Sequence, residues 1–375
     1  SGFTGKDYHG VYVLMEKIKR GDDRVDIKKV DASDLTEPAI SGGYIFKREQ
    51  TSLEFHAGGE NLLFVEPIKE DMNGPMTAQR DWLIDYLDDF VAAQAASSKG
   101  YLDYVDMHSW VDTHLFMSLT KARDTMTKSR YTYKDRGKKL IMGPPWDYDG
   151  SLDGNTTGWD GAGSGGSGSG IWTSSWWHKD TGLFKDYDFW QAWVDRYFEL
   201  RHDVFSETNL VAVMDGMSNA VWEAHFRNAE RWVPSAYPQS QTWLKDRVAW
   251  MDDQFLAVPT MSQTGGVVLA GYALSMSGTD TLYYTLDGTD PRGPDGVVAA
   301  SALIYSGTIA IMSNTIVRAR VWDGQAWIEP PEAPWSAPNN AVFAVSPHTV
   351  TITELMVQPR APESGTAETN FVSSD

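Results

Sequence analysis

Two aspartates are set apart by what lies between them. Asp124 sits in the polar run Arg123-Asp124-Thr125-Met126-Thr127-Lys128-Ser129, and Asp147 follows 23 positions later (147 − 124) in Gly143-Pro144-Pro145-Trp146-Asp147-Tyr148-Asp149. Two short strand-like runs separate them, so the chain can fold back as a hairpin and bring both carboxylates to one place. A loop carboxylate can accept a hydroxyl proton, and a second one after the hairpin can hold a divalent cation on nucleotide phosphates. That order suits transfer of a phosphoryl group. Asp149 is a further ligand for the cation or a residue that turns the loop. Plainer roles stay open as well. Asp124 suits a turn cap, and Asp147 suits a turn beside a packed indole.

The flanking sequence has to supply a frame. Residues 11–18 are an apolar run rich in β-formers, Val25-Asp26-Ile27 alternates, and Ser41-Gly42-Gly43 breaks the chain before Tyr44-Ile45-Phe46-Lys47. Leu62-Leu63-Phe64-Val65 is another candidate strand. Trp82, Leu83, Tyr86, Leu87 and Phe90 then mark one face of a helix, and residues 105–119 form a second with Trp110, Val111, Leu115 and Leu119 inward. The Gly/Ser tract at 161–170 reads as a surface excursion. Helical periodicity resumes over 183–201, 211–229 and 242–256, and changes near Pro259 to short alternating strands between turn residues.

Composition limits the function classes. The 375 residues include 16 Trp, 16 Tyr and 14 Phe, enough for a sizeable aromatic core. The net charge of −19 disfavours nucleic acid and anionic membrane surfaces as partners. The lack of cysteine excludes disulfides, Cys-ligated zinc and thiol catalysis. No apolar run reaches the length of a membrane span. Neither end carries an initiator Met, a signal peptide or a closing turn, so the chain reads as an internal piece of a longer polypeptide.

Other chemistry-bearing residues have bland readings. Lys47 could reach a phosphate, but a lysine ending an apolar strand more often snorkels at a sheet edge. Glu54, Glu60 and Glu66 read as a solvated acidic face. His56, His108, His114 and His178 lack metal-ligand spacing and read as satisfied histidines. Trp172, Trp176 and Trp177 suit packing of helix ends more than stacking on sugars. Asp287-Gly288-Thr289-Asp290 reads as a turn and not a calcium loop. No nucleophile-elbow motif supports hydrolase chemistry.

Taken together, Gly10-Val11-Tyr12-Val13-Leu14-Met15-Glu16, Gly42-Gly43-Tyr44-Ile45-Phe46-Lys47, Asp124 to Ser129, Tyr133-Lys134-Asp135 and Gly143 to Asp149 resemble the CotH-type kinases. This is an atypical kinase-like family, first known from spore coats and common in large exported bacterial proteins. The resemblance implies transfer from ATP, with Mg²⁺, to a protein Ser or Thr. Asp124 would be the catalytic base, Asp147 and Asp149 metal ligands, and Glu16 a neighbour of the adenine. Ser129 stands five positions after the base, where the kinase signature has a metal-binding Asn, and its hydroxyl would be a shorter and weaker ligand for the Mg²⁺–ATP. The family's phosphate-covering loop, ATP-binding lysine and its Glu partner fall upstream of Ser1, so this piece alone is expected to transfer little.

Residues 265–344 resemble the Ig-like module at the C-terminus of chitobiase and β-hexosaminidases, through Tyr283 to Pro291, Tyr305-Ser306-Gly307 and Val317 to Arg320. Val350 to Pro359 resembles the opening strand of a lamin-tail-like domain. The expected layout is an α+β kinase-like domain over 1–257, with an incomplete N-lobe and a mainly helical C-lobe. An all-β sandwich follows over 258–345, and the start of a third domain over 346–375. By analogy with that domain set the protein is extracytoplasmic, with surface polysaccharide as a further partner. The alternative to a kinase is a non-catalytic kinase-like scaffold in a surface or adhesion protein.

Overall fold

A five-stranded antiparallel sheet organises the first two thirds of the chain. The structure, a computed structural model, describes residues 9–346 apart from 13, 50–52, 123–126, 153, 160–170, 172–174, 232–239 and 327–329. Strands β1 (Tyr44–Arg48), β2 (Phe55–Ala57) and β3 (Glu60–Glu66) precede helices α1 (Lys69–Met72), α2 (Thr77–Ala96) and α3 (Met107–Thr120). The hairpin β4 (Arg130–Lys134) and β5 (Leu140–Met142) then joins the same sheet, in the order β2-β3-β1-β4-β5. Strand β1 is therefore central and pairs with β3 on one side and β4 on the other.

Alternation along the strands gives the sheet two unlike faces. Tyr44, Phe46, Leu62 and Phe64 join the main core with Leu83, Leu87 and Phe90 of α2 and Trp110, Val111 and Leu115 of α3. Ile45 and Tyr131 face the other way, against Val25 and Ile27, with Trp146 packed on them. Gly42 permits the chain to enter β1, because a Cβ there would lie 2.0 Å from the Asp135 carbonyl carbon. Lys134 clasps the hairpin by donating to the Ser41 and Lys138 carbonyls, both at 2.7 Å. Burial lowers its pKa to about 8.

The helical layer is completed by α4 (Tyr187–Arg201), α5 (Glu207–Arg231) and α6 (Ser240–Asp252). Asp106 caps α3 by accepting from the Ser109 N–H at 2.9 Å, and Asp186 caps α4 through the Asp188 N–H at 3.0 Å. Trp190, Trp193, Val194 and Tyr197 of α4 are fully buried. His114 lies among them. Its Nε2 donates to the Ile171 carbonyl at 3.0 Å, while its Nδ1 accepts from the Trp193 indole at 3.1 Å. Burial lowers its pKa from 6.5 to about 4, against the Ile171 bond, which favours the proton.

Strands β6 (Thr260–Met261), β7 (Gly265–Val268), β8 (Tyr272–Leu274), β9 (Met276–Ser277), β10 (Thr281–Thr285), β11 (Leu303–Ile304), β12 (Ile309–Ile311), β13 (Thr315–Trp322) and β14 (Asn339–Val345) make the C-terminal part all-β. A five-stranded sheet has the order β11-β10-β13-β14-β7, with only β7 and β14 parallel. Leu274 and Ile311, from the pair β8–β12, pack with Val317, Ala319, Ala341 and Phe343 in its core. A mainly helical region with a sheet, followed by an all-β region, is the layout the periodicity implies. Among the described residues no helix is long and apolar enough to cross a membrane.

The two regions are joined by buried charge. Arg320, 1% exposed, makes paired bonds to Asp195 of α4 at 2.7 and 2.6 Å and to Asp290 at 2.7 and 2.6 Å. It donates again to the Ser336 carbonyl at 2.8 Å. Arg292 bonds Asp188 at 2.8 Å, and the Trp190 indole donates to the Glu332 carbonyl at 2.8 Å.

Two expectations change. Residues 11–12 and 14–18 form no strand: Tyr12 and Met15 are exposed, Leu14 fully so, and no described strand pairs with them. An apolar run without a ladder cannot satisfy its backbone as a strand. Helix α5 forms as its periodicity implies, but none of its described side chains is buried.

Two measurements test this account. Asp195→Ala leaves the buried Arg320 half-paired and is expected to cost about 3 kcal/mol; an unchanged denaturation midpoint would contradict a tight junction. His114 binds its proton more weakly folded than unfolded, so its contribution is intact above pH 6.5 and lost as pH falls toward 4. Between pH 7 and 5 the loss should be roughly 2 kcal/mol, and His114→Gln should remove that part of the pH dependence.

Candidate functional site

The residue before β4 and the loop after β5 meet at Ser129 and Asp147. Ser129 is buried at φ 58° and Asp147 is exposed at φ 63°, both in the left-handed region that few non-glycine residues occupy. The Ser129 hydroxyl donates to Asp147 Oδ2 at 3.0 Å. Such conformations persist only where the surroundings hold them, and the loop is held at both ends. The Gly143 N–H donates to the Tyr131 carbonyl at 2.9 Å, and the Leu152 N–H to the Thr120 carbonyl at 2.8 Å. Between these anchors Tyr148 packs on Phe116, with ring centres 4.8 Å apart, and burial raises its hydroxyl pKa. Asp147 and Asp149, on either side of it, are both exposed.

A second group of charges lies on the Tyr131 face. Lys47, opposite Tyr131 in the β1–β4 pairing, donates to Glu49 at 2.8 Å and stands 5.8 Å from the Tyr131 ring centre. Burial alone would lower the Lys47 pKa. The Glu49 bond and the nearby Tyr131, Glu49 and Asp147 outweigh it, and the pKa rises. Asp147 also helps to raise the Tyr131 pKa, whose main cause is burial. Lys47 is thus on the central strand, not at the sheet edge expected of it.

On the opposite face, Arg130 follows Ser129 and lies directly across from Arg48. Glu60 neutralises both guanidiniums, with one oxygen 2.7 Å from Arg48 and the other 2.8 Å from Arg130. The Arg130 guanidinium also lies 4.9 and 5.0 Å from the rings of Trp176 and Trp177. The acidic face expected of Glu54, Glu60 and Glu66 is therefore not solvated. Glu60 is buried, Glu54 accepts from the Phe64 N–H at 2.9 Å, and Glu66 pairs with Arg20 at 2.8 Å. The indoles of Trp176 and Trp177 are packed in the core, as their expected role requires.

The structure brings Ser129 and Asp147 together and leaves Asp149 one residue beyond Tyr148. Asp124 lies outside the described residues, as does Trp172. Glu16 is exposed and ion-paired with Arg24, and its described bonds include none to this group. Asp287 Oδ1 accepts from the Thr289 N–H at 2.9 Å, a local turn. Asp186, Asp188 and Asp295 converge closely enough to suggest a metal, yet Lys99 bonds Asp188 and Asp295 at 2.7 and 2.8 Å and already supplies the cation. The Glu60–Arg130 pair escapes a reading of the sequence, because only the strand register sets Arg130 against Arg48.

A family model described as CotH kinase protein matches residues 3–252, and one described as Fn3 associated matches residues 273–328. No curated protein and no solved structure matches the chain.

Glu60→Gln removes the anion shared by the buried Arg130 and the half-buried Arg48 and is expected to cost about 3–5 kcal/mol in urea denaturation. A loss under about 1 kcal/mol, the range of exposed ion pairs, would show that Arg130 finds solvent instead.

Proposed function

This chain belongs to the CotH kinase family, and on that premise we propose that it carries a phosphotransferase site built from Asp124, Ser129 and Asp147. The reaction would take the terminal phosphoryl group of ATP to a Ser or Thr hydroxyl of a protein. The observation that carries this reading is the Ser129–Asp147 hydrogen bond, which joins the residue at the signature's Asn position to the metal-site aspartate. A hydroxyl and a carboxylate are hard oxygen donors that suit Mg²⁺, with exposed Asp149 available as a further ligand. When bound, the ion would neutralise charge on the phosphates. Asp124 would orient the acceptor hydroxyl and take its proton on a carboxylate oxygen. The anchored 143–152 loop would hold Asp147 in place, so positioning supplies much of the rate.

By analogy with the expected domain set we also propose an extracytoplasmic setting, with surface polysaccharide as a further partner. One observation favours the second reading, a non-catalytic scaffold. A serine hydroxyl is a shorter and weaker ligand than the asparagine carbonyl it replaces.

Manganese binding by electron paramagnetic resonance and phosphate transfer from radiolabelled ATP separate the readings. Asp147→Ala is expected to weaken ion binding at least about tenfold, while Asp124→Asn keeps the ion and loses transfer. Transfer that survives Asp124→Asn would refute the base. Because this piece alone is expected to transfer little, transfer is measured on the intact polypeptide, and one that binds the ion and never transfers would leave the scaffold.

A further inference from the structure

Lys47 is hard to explain as a structural lysine. It stands on the central strand of the sheet, side by side with Glu49 on the same face, and their side chains are 27% and 25% exposed. Among the described residues the pair crosses no domain boundary and clasps no carbonyl, unlike Lys134 or Lys121. What it does have is a position. The ladder puts Lys47 opposite Tyr131, two residues from Ser129, and Tyr131 packs edge-on against Trp146, the neighbour of Asp147.

We propose that Lys47, braced by Glu49 and the Tyr131 ring, is a cation that contacts the phosphate chain of the triphosphate at this site. The inference rests on the phosphotransferase reading above and adds to it a residue that meets the phosphates. An ammonium is a compact point charge that binds phosphate without bidentate geometry. Glu49 engages the lysine in the resting site, which leaves the Asp147 carboxylate open to a cation. That Asp147 acts on the pKa of both Lys47 and Tyr131 supports their closeness.

The test uses tripolyphosphate with Mn²⁺, a probe without an adenine, on the whole chain by calorimetry, and Mn²⁺ alone by electron paramagnetic resonance. Lys47→Gln should weaken tripolyphosphate binding about tenfold or more and leave Mn²⁺ binding unchanged, which also shows that the variant is folded. Lys47→Arg should retain the charge and bind within about threefold of the parent chain. Three outcomes overturn the proposal. Full binding by Lys47→Gln, where Asp147→Ala has none, removes Lys47 alone and leaves the metal site standing. Loss of Mn²⁺ binding in both Lys47 variants makes the lysine structural. Tripolyphosphate binding that survives Asp147→Ala, or is missing from the parent chain, overturns the site reading and this inference together.

Discussion

Strand β4 runs antiparallel to β1 along its whole length, so Tyr131 lies opposite Lys47 and Arg130 opposite Arg48. Because neighbouring side chains in a strand point to opposite faces, this single register divides the region in two. On one face Tyr131 carries Lys47, Glu49 and Trp146 toward Asp147. On the other, two guanidiniums are forced together and require the buried Glu60. Ser129, the residue before the same strand, takes a left-handed conformation and reaches Asp147. A slip of one residue would exchange the two sets, placing cations in the solvent-facing site and the tyrosine ring against the helices.

Charge recurs as a buried fastener elsewhere. Arg320 uses its whole fork of N–H groups on Asp195, Asp290 and the Ser336 carbonyl. Its partners come from both α4 and the all-β region, and a planar guanidinium can satisfy both at once where a lysine could not. Such a junction is specific because a buried arginine left without either acid is costly. The same helix buries Trp190, Trp193 and Tyr197 toward the aromatic core, so α4 anchors the C-terminal region to the body that carries the candidate site.

Much of the frame was legible. Leu83, Leu87 and Phe90, and Trp110, Val111 and Leu115, show their helical faces through spacing alone, since only one face of each helix could enter a core. The hairpin between Asp124 and Asp147 was legible for the same reason, two short strand-like runs on either side of a turn. Spacing did not reveal what each face meets. Helix α5 has its periodicity without burial, leaving Val213, Met217, Trp222 and Phe226 exposed. The burial of Glu60 depends on Arg130, brought from far along the chain, and the place of Lys47 on the central strand depends on sheet order, so neither shows in local spacing.

The amino-acid sequence by itself determined the kinase-like motif order, the helices, the change to β-structure after Pro259, and the exclusion of thiol and disulfide chemistry. Those follow from local spacing and composition. Only the tertiary structure decided that Ser129 bonds Asp147, that Glu60 is buried between two arginines, and that Arg320 joins two regions. Each of these contacts pairs residues from separate elements, 18 to 125 positions apart where Asp147 and Asp195 are concerned. Strand register and helix docking set such distances, and neither is encoded in any short stretch of chain.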